Sequence, residues 1–474
     1  MPSAVQRYKR LLSAALARYF PHTTAYLRAE REAAAPLKKP APRAKKTAAK
    51  AKPGSAQAQS KPRRAASKPS TPGIYGPAML AVEATQAQAM REQVARAVTA
   101  GLLSAPSDEQ WAMILSNHPL TRIFAGAGSG KSTTLVLRVV FVLCHLGIKP
   151  EQLTVISFTN ASCAELREQL LKVLGFFNYH FDASQARQCV RTFHSAMGSV
   201  AKSVLNNPRW FEQLDDPQAA SRELDNPLSA GRLRPAQQRL LKQAYQQCYA
   251  EQPAFRQKVH SLLQLPPPAD RGKRLPKAPL DAYKLAGEFS AAPLYEAFYA
   301  QAGFAESIGI DVPAMQPQGL DTAVPVREFL EALLLFWPYF KRALQEQGLL
   351  TFNAAFAQLT ARLNAGEQSV APPLLAAFSH LLIDEFQDIS PQIVQWLQAV
   401  QRTLARQGTA VSLMAIGDDW QSIYGWRGSS PELFIDFDRH FPGKGRAKHS
   451  RVLTLANNYR SIEPIIRDAE VLLG

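Results

Sequence analysis

Short apolar runs alternate with longer segments of helical periodicity along most of this chain. Four of these runs end directly in a polar motif, and they lie at residues 120–124, 153–158, 381–383 and 411–416. Amphipathic segments around them predict helices, among them residues 77–103, 133–146 and 462–472. Strands that alternate with helices form parallel sheets covered on both faces, and ligands bind at the carboxyl ends of such strands. The pattern therefore predicts an α/β fold whose functional residues follow the strands.

Charge is concentrated at the start of the chain. Residues 1–80 hold 17 Lys and Arg against 2 Asp and Glu, a net charge of +15, which leaves +2 for all other residues of this +17 chain. Residues 4–32 have the spacing of a basic helix, whereas residues 33–72 are rich in Ala, Lys, Pro and Ser and are predicted to be disordered. Such a tail is compatible with a solvated linker and with an arm that adds salt-sensitive affinity for a polyanion.

The cysteines and the apolar stretches of the sequence indicate the cellular environment to expect. The four cysteines form no C-x-x-C pair, which argues against a zinc site or a disulfide framework and favours a reducing cytosol. The longest apolar stretches, residues 135–148 and 329–340, are too short to span a bilayer. We therefore expect no membrane segment and a location in the bacterial cytosol or nucleoid.

A glycine-rich loop follows the first apolar run. Residues 123–132 are I-F-A-G-A-G-S-G-K-S and lead into a predicted helix. Gly126, Gly128 and Gly130 permit backbone angles that turn successive N–H groups towards one phosphate, and the helix N-terminus adds positive potential. This arrangement predicts a P-loop that binds ATP.

Two side chains at the end of the loop carry the expected chemistry. Lys131 is placed to contact the β- and γ-phosphates, and the hydroxyl of Ser132 to bind Mg²⁺. The general pattern has glycine at position 125, where this chain has alanine. The predicted nucleotide-binding residues of the loop are Ala125, Gly126, Ala127, Gly128, Ser129, Gly130, Lys131, Ser132 and Thr133.

Paired carboxylates follow the apolar run at 381–383, in D-E-F-Q-D. Neighbouring strand residues point to opposite sides, so Asp384 and Glu385 can serve different roles. Asp384 suits coordination of Mg²⁺, directly or through water, and Glu385 suits polarisation of the attacking water. The motif alone also fits a solvated strand end, but its combination with a P-loop favours an ATPase site.

A third motif, G-D-D-W-Q-S-I-Y-G-W-R-G, follows the apolar run at 411–416. Gln421 is placed to sense a γ-phosphate. Tyr424 and Trp426 are two residues apart, so in an extended segment both rings would face the same way, as suits stacking on nucleic-acid bases. Packing in the core is the alternative for these rings. Further on, Arg460 precedes a predicted helix and is a candidate to stabilise charge on a transferred phosphoryl group.

Taken in order, the motifs resemble those of the UvrD/Rep-type family of superfamily I DNA helicases, over roughly residues 100–470. Many members carry a small polar residue at the position of Trp420. In this feature the chain is most similar to the helicase IV branch. The matching segments are Gln110 in S-D-E-Q-W, A-G-A-G-S-G-K-S at 125–132, S-F-T-N at 157–160, T-F-H-S at 192–195, D-E-F-Q-D at 384–388, G-D-D-W-Q-S-I-Y-G-W-R-G at 417–428 and N-Y-R-S at 458–461.

The resemblance implies an ATP-dependent DNA helicase that moves 3′→5′ on single-stranded DNA. It implies that Gln110 recognises adenine and that Ser132 and Asp384 bind Mg²⁺. The ATPase residues that it implies are Lys131, Glu385, Gln421 and Arg460. The residues that it places along the DNA strand are Phe158, Asn160, His194, Tyr424 and Trp426.

The resemblance also implies a RecA-like P-loop NTPase fold, a parallel sheet with a large helical insertion and a basic disordered N-terminal tail. The expected segments are the basic helix and tail at 1–80, the two parts of the ATPase domain at 81–200 and 376–450, the helical insertion at 201–375, and the start of a second RecA-like domain at 451–474.

Members of this family continue well beyond the point that corresponds to Gly474. We therefore expect the chain to be the ATP-binding half of a motor, completed by a C-terminal helicase half or joined to a repair or recombination protein. The expected nucleic-acid partner is single-stranded or partially duplex DNA. The alternative is a non-catalytic protein that binds ATP and DNA and depends on a partner.

Overall fold

The computed structural model describes residues 73–219, 222–225, 233–268, 277–284, 290–366, 370 and 372–473. The predicted basic helix and tail therefore lie, up to residue 72, outside the described residues. The chain divides into two units. The larger unit comprises Pro72–Gly126 and Gly130–Ala456, and the smaller one contains Ala127–Ser129 and Asn457–Gly474.

The strands follow one another along the larger unit. In chain order they are β1 (Leu120–Ala125), β2 (Leu153–Ile156), β3 (Val190–Arg191), β4 (Arg209–Trp210), β5 (Ala282–Tyr283), β6 (Ala292–Pro293), β7 (Leu349–Leu350), β8 (His380–Ile383), β9 (Ser412–Gly417) and β10 (Arg451–Leu455).

Helices fill most of the intervening sequence. In chain order they are α1 (Ala84–Thr99), α2 (Asp108–Ile114), α3 (Lys131–Cys144), α4 (Asn160–Phe176), α5 (Ala183–Cys189), α6 (Phe193–Val204), α7 (Pro235–Glu251), α8 (Pro253–Leu262), α9 (Leu294–Ser307), α10 (Val324–Glu346), α11 (Phe352–Ala365), α12 (Pro372–Leu375), α13 (Pro391–Arg406), α14 (Glu432–Ile435), α15 (Phe437–His440) and α16 (Glu463–Leu473). Among the described residues, no helix combines the length and apolarity that a membrane crossing requires.

The main sheet of the larger unit has six strands in the order β10-β1-β9-β8-β2-β3. All of its neighbouring strands are parallel. The four strands predicted from apolar runs are present as β1, β2, β8 and β9. Their carboxyl ends therefore meet at one edge, where the predicted motifs begin.

Side chains of the central strands alternate between two hydrophobic clusters. Leu381 and Ile383 contribute to one cluster, together with α11 and α13, whereas Leu382 contributes to the other, together with α3 and α4. Because successive strand residues point to opposite faces, helices cover the sheet on both sides. The predicted α/β, RecA-like sheet is confirmed.

The sheet extends further than the predicted domain boundary at residue 451. That residue begins β10, which pairs with β1 along its whole length. The change between units comes after Ala456. A boundary placed from the structure would thus follow β10, and the assignment of later residues to a second RecA-like domain stays a prediction.

The predicted helical insertion has a core of its own. Helices α7 to α10 surround an aromatic-rich cluster that includes Phe298, Phe329 and Phe336. This part joins the sheet region at Glu212, whose carboxylate accepts a hydrogen bond from the backbone N–H of Phe352 at 2.9 Å. Burial raises the pKa of Glu212 to about 8. The insertion is thus anchored by a buried polar contact at the start of α11.

Candidate nucleotide and nucleic-acid site

The predicted phosphate loop connects β1 to α3 at the carboxyl edge of the sheet. Ala125, the last strand residue, is buried in the core, which accounts for a methyl group where the general pattern has glycine. Gly130 precedes the helix with a φ of 76°. Lys131 and Ser132 form the first turn of α3, as expected for residues that bind an anion and its metal at a helix N-terminus.

The smaller unit brings the middle of this loop against the N-Y-R-S motif. The carbonyl of Gly128 accepts a hydrogen bond from the N–H of Tyr459 at 2.8 Å. A Cβ atom on Gly128 would lie 2.6 Å from Oδ1 of Asn458 and 2.7 Å from Cβ of Arg460, and its φ is +72°. Only glycine suits both the backbone angle and the close approach. Arg460 therefore lies beside Gly128, and its role at the transferred phosphoryl group stays a prediction.

Lys131 and Glu385 meet directly. The Lys131 ammonium donates to both carboxylate oxygens of Glu385, with Nζ–O distances of 3.0 and 3.1 Å. Glu385 has a φ of +50°, a left-handed conformation that is uncommon for residues other than glycine, asparagine and aspartate. Such conformations persist where the surrounding structure enforces them, and they cluster at functional sites. The sequence-based expectation that these two motifs converge therefore agrees with the geometry.

Two further carboxyls border this ion pair. Burial, together with the charge of Glu385, raises the pKa of Asp384 to about 6 and that of Asp388 to about 7. A carboxylate buried at this cost is suited to a cation, and a hydroxyl with a carboxylate is a donor set typical of Mg²⁺. No group of three or more His, Cys, Asp or Glu in the described part of the chain forms a complete metal cage. Mg²⁺ commonly takes one or two carboxylates and completes its shell with water and phosphate, so Asp384 and Ser132 fit it.

Gln387, the fourth residue of D-E-F-Q-D, belongs to the site although the sequence did not predict it. Its amide donates to Glu385 at 2.8 Å, and its carbonyl oxygen accepts from the N–H of Asp418 at 3.0 Å. Asp418 in turn accepts from the side chain of Gln421 at 2.6 Å. A Cβ atom on Gly417 would lie 2.7 Å from Oε1 of Gln387, so a larger residue there would displace the Gln387 side chain. Gln387 thus joins the carboxylate motif to the segment that carries Tyr424 and Trp426.

Replacing Gln387 by Leu is expected to reduce the stimulation of ATP turnover by single-stranded DNA about tenfold, the scale of losing one buried hydrogen-bond partner. Basal turnover should change less, because Lys131 and Glu385 themselves are unaltered. The measurement is the ratio of turnover with and without a DNA oligonucleotide. Gln392→Leu is a matched control, since this buried glutamine donates to the carbonyl of Asn353, away from the two motifs. Equal losses in both variants would contradict a coupling role.

An aromatic pair lies beside the third motif. The rings of Phe158 and Tyr424 are stacked, with centroids 5.0 Å apart and an interplanar angle of 26°. Trp426 is 66% exposed, and the guanidinium of Arg427 lies 4.4 Å from the centroid of its ring. The expectation of an extended segment is wrong, because Gly425–Arg427 form a 3-10 turn. The two predicted base-stacking rings therefore have different surroundings.

The other predicted DNA contacts already have partners within the protein. The backbone N–H of Asn160 donates to Asp225 at 3.2 Å, and its amide donates to the carbonyl of Glu223 at 3.0 Å. His194 is buried against the rings of Phe352 and Phe356, and burial lowers its pKa to about 3. Their contacts with DNA stay predictions.

The predicted adenine contact also takes part in local structure. The side chain of Gln110 accepts from the N–H of Ser107 at 3.0 Å, in a capping box at the start of α2. Its recognition of adenine stays a prediction. Thr133 is exposed in the first turn of α3.

A parallel sheet, a glycine loop that opens a helix, and a lysine paired with a carboxylate that follows another strand of the sheet define a RecA-like P-loop domain. The UvrD/REP helicase N-terminal domain model matches residues 107–442. The chain therefore belongs to this family.

Curated relatives support the same family. The chain is 24% identical over 372 residues to the putative ATP-dependent DNA helicase YjcD of Bacillus subtilis, a match that covers 77% of this chain and 38% of that protein. It is 26% identical over 339 residues to DNA helicase IV of Escherichia coli, covering 70% of this chain and 42% of the relative. It is 24% identical over 378 residues to DNA helicase II of Escherichia coli, a match that covers 78% of this chain and 41% of that protein. The chain thus spans about two fifths of the length of these relatives.

Proposed function

We propose that this chain is the ATP-binding half of a DNA helicase that hydrolyses ATP as it moves on single-stranded DNA. The contact between Lys131 and Glu385 at 3.0 Å supports the proposal, because a lysine at the start of the helix after the glycine loop and a carboxylate that follows another strand then lie together at one edge of the sheet. The family membership of residues 107–442 supports the choice of DNA as the track.

Each residue of the site has a separate role in this proposal. Lys131 leaves Glu385 to bind the β- and γ-phosphates, and Glu385 is then available to accept a proton from the attacking water. Gln421 senses the γ-phosphate, and Arg460 stabilises charge on the transferred group. Mg²⁺, held by Ser132 and Asp384, would supply charge neutralisation for the phosphates.

The DNA strand is proposed to pass the aromatic segment. Tyr424, stacked on Phe158, and the exposed Trp426 offer π-surfaces to bases, which suits movement without sequence preference. We also propose a 3′→5′ direction and completion of the nucleotide cleft by a second RecA-like half, both from the family resemblance. Asn160 and His194 are proposed as neighbours of the same strand.

The test is phosphate release by the 474-residue chain with and without an oligothymidine strand, with the Lys131→Ala chain as the background. We expect turnover that rises with the single strand and is absent from the variant. If both ATP and DNA bind but no turnover above background is seen even when a second RecA-like half is supplied, the non-catalytic alternative is favoured. If neither ligand binds, the proposed function is rejected.

A further inference from the structure

A basic loop lies at the opposite edge of the sheet from the nucleotide site. We give this name to residues 441–450, which connect α15 to β10 and contain three Lys or Arg and no Asp or Glu. β10 pairs in parallel with β1, with Arg451 beside Thr121, so the loop lies at the amino ends of the strands. The phosphate loop and the carboxylates follow the carboxyl ends. The basic loop is therefore separate from the motor site.

The cations of the basic loop face solvent. Lys444, Arg446 and Lys448 are exposed, and within the part of the chain that the structure describes none of them forms an ion pair. Arg439 and Arg451 flank the loop and are also exposed. Five positive charges thus lie close together in a body that is otherwise nearly neutral.

One acidic residue stands at the base of the loop, and its contacts are internal. Asp438 accepts from the backbone N–H of Ser450 at 2.9 Å and lies 3.6 Å from the ring of His449. These contacts hold the two ends of the loop together. Arg439 and Arg451 directly neighbour Asp438 and Ser450 in the sequence, so their charges flank the loop.

The shape of the loop is fixed by close packing. A Cβ atom on Gly443 would lie only 1.7 Å from the carbonyl oxygen of Ala447, and Ala447 itself is fully buried. The loop also bonds to the segment at residues 73–77, because Lys444 donates its N–H to the carbonyl of Tyr75 at 2.8 Å. The buried Tyr75 hydroxyl donates to Gln401, whose amide donates in turn to backbone carbonyls of the sheet edge. The charged side chains therefore extend from a backbone whose conformation is fixed by packing and hydrogen bonds.

The same packing includes Gly73, the first residue that the structure describes. Gly73 directly follows residues 1–72, which hold 17 Lys and Arg and 2 Asp and Glu. A Cβ atom on Gly73 would lie 2.5 Å from the carbonyl oxygen of Gly443. The described part of the chain therefore begins beside the basic loop. Residues 1–72 and 443–450 lie outside the family match at residues 107–442.

We propose that the basic loop binds the phosphate backbone of DNA at a second surface, apart from the single-strand track. Protein interfaces are organised around an apolar core with few charges, whereas most hydrogen bonds from proteins to DNA go to phosphate and sugar. The side chains exposed on this loop are Lys444, Arg446, Lys448 and His449. Their chemistry fits phosphates, and a backbone contact of this kind is independent of sequence and sensitive to salt. The surface goes beyond the proposed motor, because it would hold duplex as well as single-stranded DNA without ATP.

The test compares two triple variants of the full chain that lose the same charge. Lys444→Gln/Arg446→Gln/Lys448→Gln alters the loop, and Arg96→Gln/Lys172→Gln/Arg187→Gln alters exposed helical positions elsewhere. Fluorescence anisotropy gives the affinity for a blunt duplex, a single strand and polyglutamate between 50 and 200 mM salt, conditions over which phosphate contacts weaken steeply. Thermal unfolding midpoints establish that both variants are folded.

We expect the loop variant to lower the salt slope for duplex binding by about three, since each phosphate contact contributes about 0.9. The control should match wild type, and turnover at saturating single-stranded DNA should be unchanged in both. Equal duplex slopes for the two variants would overturn the proposal. So would a loss confined to polyglutamate, which would indicate an acidic protein partner. A wild-type chain that has no ATP turnover even with a second RecA-like half, but still shows the loop-dependent slope, would reject the motor and leave this surface in place.

Discussion

Replacing Glu385 by Gln is expected to lower ATP turnover by about 10²–10⁴-fold, the usual contribution of a positioned general base. Gln keeps the size of the side chain and its hydrogen-bonding capacity but cannot accept the proton of the attacking water. ATP binding should be retained or become tighter. In the structure the ammonium of Lys131 is paired with the Glu385 carboxylate, and a neutral amide competes less with an incoming phosphate for that ammonium.

Two measurements separate these effects. Steady-state phosphate release at saturating single-stranded DNA gives turnover, and titration with a fluorescent ATP analogue gives affinity. Glu346→Gln, at the exposed end of α10, is the matched control and should behave as wild type in both. Weaker ATP binding together with near-normal turnover would mean that Glu385 helps to hold the nucleotide and is not the base.

The parts of the fold that the sequence predicted are those with a strong local signal. Strands β1 and β9 are buried on both faces, and a continuous apolar run identifies such a strand. β10 was missed because it is an edge strand, and several of its side chains are exposed. β3 has only two residues, too few for any pattern. The extent of the sheet therefore depends on pairing between distant segments, which one sequence does not display.

The residues of the site also divide into those with a local sequence signal and those whose role depends on distant segments. The residue types and order of the motifs were sufficient to predict that Lys131 and Glu385 converge, because each motif follows a strand of one parallel sheet. The role of Gln387 could not be predicted in this way. It depends on a hydrogen bond from Asp418, which follows strand β9, and on the close approach of Gly417. The burial of His194 was equally hard to predict, because its ring packs against residues of α11, which is distant in the sequence. A position on a motif indicates the edge of the sheet but not whether the side chain faces solvent.

A second large effect is expected when the exposed ring of Trp426 is removed. Trp426→Ala should weaken binding of single-stranded DNA about 5- to 150-fold, the equivalent of about 1–3 kcal/mol for one stacked base. The ring is exposed and belongs to no hydrophobic cluster of the described residues, so its loss should cost little stability. Because stacking releases no counterions, the salt slope should stay at the wild-type value while the affinity falls at every salt concentration.

Trp420 provides the matched control for this experiment. It lies in the same motif and is 73% exposed, against 66% for Trp426, but the sequence predicts no DNA contact for it. Anisotropy titrations with an oligothymidine strand should therefore show a large loss for Trp426→Ala, a smaller one for Trp426→Phe, which keeps an aromatic face, and little change for Trp420→Ala. Equal losses for both alanine variants would contradict a specific stacking position. They would indicate instead that the segment binds the strand as a general apolar surface, and the aromatic track would then include Trp420.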